Sequence, residues 1–121
     1  MPNSPSSPVR LEFAPDFKRN LRGLAKKYRH IRSDIDPMIA RLQAGEILGD
    51  QIPGTSHAIF KVRVTNSDTR KGKRSGYRLI YHLAGNRRII LVAIYSKLDQ
   101  GDIPANRIRR ILSDLQKEEQ R

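Results

Sequence analysis

Cysteine and tryptophan are absent from the 121 residues, acids are scarce, and no apolar run is long. Without cysteine there is no disulfide, thiolate zinc site, iron–sulfur cluster or cysteine nucleophile, and a reducing, cytoplasmic setting is expected. The longest apolar run, residues 89–95, has seven members where a spanning helix needs about 20, so no membrane is expected as a partner. Residues 1–8 are rich in Pro and Ser and have neither a charged segment nor an apolar one. They read as a disordered N-terminal tail rather than a signal peptide. Residues 9–121 read as a single domain, with a modest core at 37% hydrophobic content.

What the chain has in excess is positive charge: 24 Lys and Arg against 12 Asp and Glu, a net +12. A surplus of that size favours a polyanionic partner. Along the chain, Val9, Leu11 and Phe13 alternate as a half-buried strand. Phe17, Leu21, Leu24, Ala25 and Tyr28 follow at helical spacing, with Asp16 suited to the N-cap. A second helix is expected from Ser33 or Asp34 through Leu42 to Gly45, with Pro37 in its first turn. Residues 46–57 read as loop. Phe60, Val62 and Val64 alternate with Lys61 and Arg63, and Tyr77, Leu79, Tyr81 and Leu83 alternate with Arg78, Ile80 and His82, which makes two strands of a hairpin. The run over residues 88–95 reads as a central strand covered on both faces, and Pro104 opens a last helix carrying Ile108, Ile111, Leu112 and Leu115. The order β-α-α-β-β-β-α predicts an α+β domain, a mainly antiparallel sheet with helices packed on one face.

Residues 61–88 hold nine cations and one acid, Asp68, so this 28-residue block carries +8 of the +12. Lys61, Arg63 and Arg78 should share a sheet face, where a rigid scaffold converges side chains. Arg70, Lys71, Lys73 and Arg74 form a basic loop suited to RNA backbone, although such loops are often only solubilising. Arg provides a planar fork for phosphate oxygens and Lys a point charge, a pair that can hold a phosphodiester and stabilise a phosphorane. RNA carries its own nucleophile, the 2′-hydroxyl, so such a site needs neither a metal nor a cofactor. His30, His57 and His82 are scattered, and His82 is read as structural or merely solvated. Tyr77 and Tyr81 fall on the core side. Tyr95 and Lys97, at the end of the central strand, are candidates for stacking or proton transfer, with packing in the core an equal reading for Tyr95. Asp99 and Asp102 could form a carboxylate pair, but capping of the last helix is the simpler reading.

The stretches Lys73-Arg74-Ser75-Gly76-Tyr77-Arg78-Leu79-Ile80-Tyr81 and Ile94-Tyr95-Ser96-Lys97, preceded by Phe60-Lys61-Val62-Arg63-Val64, resemble the RelE/ParE superfamily of bacterial toxins, and within it the RelE and HigB-like branch. The resemblance implies a RelE-like fold and the toxin of a type II toxin-antitoxin system. It implies an mRNA endoribonuclease (an mRNA interferase) that acts within the ribosome beside ribosomal RNA, cleaves by 2′-hydroxyl attack and inhibits translation. It also implies a cognate antitoxin that binds the toxin in a hetero-oligomer. Lys61 and Arg63 match the family's paired basic residues, and Arg78 its phosphate-binding arginine. Arg63 stands where the family has lysine, and Leu98 where RelE has a further arginine, so Tyr95 and Lys97 are the substitutes at hand. Two other functions fit the same residues: a ParE-like inhibitor of DNA gyrase, and a non-catalytic RNA-binding module.

Overall fold

The structure, a computed structural model, describes residues 9–69, 76–85 and 87–119. Its element order is β1 (Arg10–Phe13), α1 (Pro15–Lys27), α2 (Ile31–Gln43), β2 (Asp50–Gln51), β3 (Ile59–Val64), β4 (Tyr77–Gly85), β5 (Arg88–Ser96) and α3 (Ala105–Glu119). The five strands form one sheet in the order β1-β5-β4-β3-β2. β1 runs parallel to β5, and the other three pairings are antiparallel. The chain is therefore α+β with a mostly antiparallel sheet. No helix among the described residues is long and apolar enough to cross a membrane.

Several local expectations shift by a few residues. Pro15 occupies the first turn of α1 and Ala14 the N-cap, so Asp16 lies inside the first turn, where a carboxylate complements the helix dipole. α2 starts at Ile31 rather than at Ser33 or Asp34, which moves Pro37 from the first turn into the helix interior. There it removes one backbone donor, and the buried Ile31, Ile35 and Leu42 hold the helix to the core on either side of it. Ala25 is exposed rather than part of the α1 stripe. The expected loop over residues 46–57 contains β2, whose two residues pair with Phe60 and Lys61.

The expectation that the helices share one face of the sheet is wrong. α1 and α2 cover the face bearing Leu11, Phe13 and Tyr77: Phe13 stacks on Phe17 at 5.8 Å, and Tyr28 meets Tyr77 edge-on at 5.7 Å. On the other face Ile59, Ile80 and Ala93 are also buried, and α3 covers that side with Ile108, Ile111 and Leu112, which belong to the same core cluster. Asp102, just before α3, bonds Tyr95 on that face, and Arg109 of α3 donates to the Gly54 carbonyl in the β2–β3 loop. A strand as apolar as residues 89–95 has two faces to remove from water, and helices on one side could cover only one of them.

Two tethers fix the long loop that precedes β3. The Tyr81 hydroxyl donates to the Leu48 carbonyl at 2.6 Å and accepts from the Leu48 amide at 2.8 Å. Gly49 has φ +82°, and a Cβ built there would lie 2.3 Å from the Lys61 carbonyl oxygen, so the loop crosses β3 at a distance that only glycine permits.

A candidate anion-binding sheet face

Strand register decides which side chains share this site. Arg63 on β3 is directly opposite Arg78 on β4, and Arg78 is directly opposite Tyr95 on β5. Lys61 lies two residues before Arg63, so strand alternation puts Lys61, Arg63, Arg78 and Tyr95 on one face. This is the face that also carries α3. Lys97 follows β5, and its amide donates to the Gly76 carbonyl at 3.0 Å.

These residues differ sharply in exposure. Arg63 is exposed, whereas Arg78 is buried at 5% and Tyr95 at 3%. The side chains of Lys61 and Lys97 are half-buried. Arg78 Nη1 donates to the carbonyls of Gly76 at 3.4 Å and Tyr77 at 3.3 Å. Burial, and then repulsion from Arg63, push the Arg78 guanidinium below its usual pKa, against attraction from Tyr95 and Asp102. Arg78 is thus a desolvated cation at the bottom of the cluster, and Arg63 a solvated one at its rim.

Asp102 lies at the centre of the group. Its Oδ1 accepts from the Tyr95 hydroxyl at 2.9 Å and from Lys97 Nζ at 3.3 Å, and its Oδ2 is 3.5 Å from Lys61 Nζ. The Tyr95 hydrogen bond, followed by the lysines, holds this carboxyl below its usual range in spite of some desolvation. Burial and the same carboxylate push the Tyr95 phenol well above its usual pKa, so it remains a protonated donor at neutral pH. Sequence reasoning assigned Asp102 to helix capping or to a pair with Asp99. Instead Asp102 bridges three groups of the sheet face, while Asp99 bonds Lys27 at 2.5 Å and faces the Tyr28 hydroxyl at 3.3 Å. The available signal was weak: a lone acid between Gly101 and Pro104, five residues after Lys97.

The 28-residue cationic block is not one patch. Arg88 makes two hydrogen bonds to Glu12 on β1, at 2.7 and 3.0 Å, at the far end of the β4–β5 hairpin. Seven residues of strand, about 23 Å, separate Arg78 from that end. Arg70, Lys71, Lys73 and Arg74 lie outside the described residues. The block's single acid, Asp68, accepts from the His30 backbone amide at 3.0 Å and pairs with its Nδ1 at 2.7 Å. His82 is on the site face but four strand positions from Arg78, about 13 Å, with its Nδ1 buried and without a hydrogen-bond partner among the described residues, and its ring 5.3 Å from that of His57. Among the described residues no three His, Asp or Glu side chains are placed to hold a metal ion.

Fold and site together define an α+β domain with a cationic row on one sheet face, partly roofed by a C-terminal helix. No protein-family model matches the chain.

Proposed function

We propose that this chain is the toxin of a type II toxin-antitoxin system, a RelE/HigB-like mRNA endoribonuclease that works on the ribosome in the cytoplasm and is neutralised by a cognate antitoxin. The observation that carries the reading is the strand register, which sets Arg63, Arg78 and Tyr95 side by side with Lys61 and Lys97 next to them. Together with the resemblance of the same strands to that toxin branch, it supports a phosphodiester site built on a rigid scaffold. Lys61 and Arg63 hold the scissile phosphate, and Arg78, from below, stabilises the added charge of the phosphorane. The 2′-oxygen bonds to phosphorus as its proton leaves to water. The P–O5′ bond breaks, and the 5′-oxygen takes a proton from Lys97 or Tyr95, leaving a 2′,3′-cyclic phosphate.

The test is Arg78→Ala, made alongside a melting curve because the side chain is buried. A folded variant that no longer produces 2′,3′-cyclic ends or arrests growth is the expected result. Retention of both activities refutes the site. A wild-type protein that blocks DNA supercoiling while translation continues refutes the endonuclease.

A further inference from the structure

Two ammonium groups and a phenolic hydroxyl converge on one side-chain carboxylate, at 3.5 Å (Lys61), 3.3 Å (Lys97) and 2.9 Å (Tyr95). Donors gathered in this way from β3, β5 and the turn after β5 are what a phosphate group would use. The group they hold is on a different kind of element. Asp102 belongs to the segment between β5 and α3, and its side chain is 54% exposed, so it can swing away without disturbing a strand. It is also the one acid whose carboxylate reaches these donors among the described residues. Salt bridges this exposed are weak and readily exchanged for another anion.

We propose that the Asp102 carboxylate is the resident counter-anion of a phosphate site formed by Lys61, Lys97 and Tyr95, and that a phosphodiester of single-stranded RNA binds there by displacing it. The choice of RNA as the ligand rests on the function proposed above; the anion site itself does not. With Asp102 in place the three donors are occupied and the site is closed to weak anions. A polyanion that also engages Arg63 can exchange itself for the carboxylate, because it gains contacts that Asp102 cannot make. The device keeps a strongly basic face from binding every free phosphate it meets.

The experiment measures binding of a 2′-O-methyl oligoribonucleotide, which lacks the attacking hydroxyl, to wild type, Asp102→Asn and Asp102→Ala across a salt series. Removing the charge that competes for the donors, an attraction worth about 1 kcal/mol at about 4 Å in water, should tighten binding roughly fivefold. Freeing two ammonium groups should steepen the salt dependence by up to about 1.4 log units per decade of salt. Lys61→Ala added to Asp102→Asn should cancel the gain. Equal or weaker binding by both single variants, with melting curves like that of wild type, overturns the proposal. In wild type the Asp102 carboxyl resonance should move on saturation with the oligonucleotide, and a resonance that stays put overturns it equally. RNA cleavage is scored separately. An affinity gain without wild-type cleavage keeps the anion site and removes the endonuclease, whereas cleavage without the gain does the reverse.

Discussion

Replacing Arg63 with Gln should make the protein more stable and worse at binding RNA. Arg63 and Arg78 are directly opposed on adjacent strands, and like charges in that position destabilise a sheet, on the scale of the roughly 0.2–1 kcal/mol that a favourable cross-strand pair contributes. Arg78 is desolvated, so solvent screens its side of the repulsion poorly, which places the effect in the upper half of the range, about 0.5–1 kcal/mol. Gln keeps part of the aliphatic stem over the sheet and loses the charge. For a domain of this size the gain corresponds to a rise in melting temperature of about 2–4 °C. The assay is thermal unfolding by circular dichroism in low salt and again in about 1 M salt, where the screening length falls to about 3 Å and the gain should shrink. Arg63→Lys keeps the charge and should not show the gain. In the binding assay Arg63→Gln should lose affinity and flatten the salt dependence by about 0.7 log units, the share of one phosphate contact. A variant that melts at or below wild type in low salt, or whose gain is indifferent to salt, refutes the reasoning.

Two further predictions concern the frame around the site. Gly49→Ala puts a Cβ against the Lys61 carbonyl at a backbone φ of +82°, so it should cost about 2–4 kcal/mol from strain and displacement; urea unfolding should show a lower midpoint, and Gly85→Ala, whose Cβ meets nothing within 4 Å, is the near-neutral control. His82 is held below its ordinary pKa by burial first and then by His57 and Arg88, so the folded state binds fewer protons than the unfolded one. The stability this provides is complete above the unfolded value of about 6.5 and is lost as pH falls through the lower folded value. Melting temperature should therefore drop as pH falls below about 6.5, and His82→Phe should flatten that slope; an unchanged slope assigns it to other groups.

The alternation of Lys61 and Arg63 with Phe60, Val62 and Val64, and of Arg78 with Tyr77 and Leu79, is a period-two pattern written locally, and for that reason the face these three cations share was legible in the sequence. What could not be read locally was the pairing of distant segments. Arg88 appeared to be part of the basic block because it is close in sequence, but β1 adds parallel to β5 and brings Glu12 from 76 residues away to take it. β2 is two residues long and exposed, too short to carry a pattern. Pro37 suggested a helix start because proline is tolerated there, yet tertiary burial of Ile31 and Ile35 extended α2 across it. The run over residues 89–95 already demanded cover on both faces, so the second helical layer was implied by the same residues that were assigned a one-sided architecture. Asp102 was visible as an acid, but its role depends on a turn geometry that its neighbours in sequence do not encode.

The placement of charge also separates two explanations of a net +12. Solubility is served by cations on exposed helix surface, and α1 has them in Lys18, Arg19, Arg22 and Lys26. Nothing about solubility calls for an arginine at the second position of β4 at 5% exposure, facing a second arginine across the strand pair and depressed in pKa by its own burial. Such an arrangement lowers stability, and the fold tolerates it because Tyr95 and Asp102 supply partial compensation from β5 and from the turn beyond it. An anion arriving between Arg63 and Arg78 would relieve the repulsion between them. The prediction peculiar to this face, and not shared by the helix surface, is that single-stranded polyanions raise the melting temperature of wild type more than that of Arg63→Gln, because the repulsion they would relieve has already been removed in the variant.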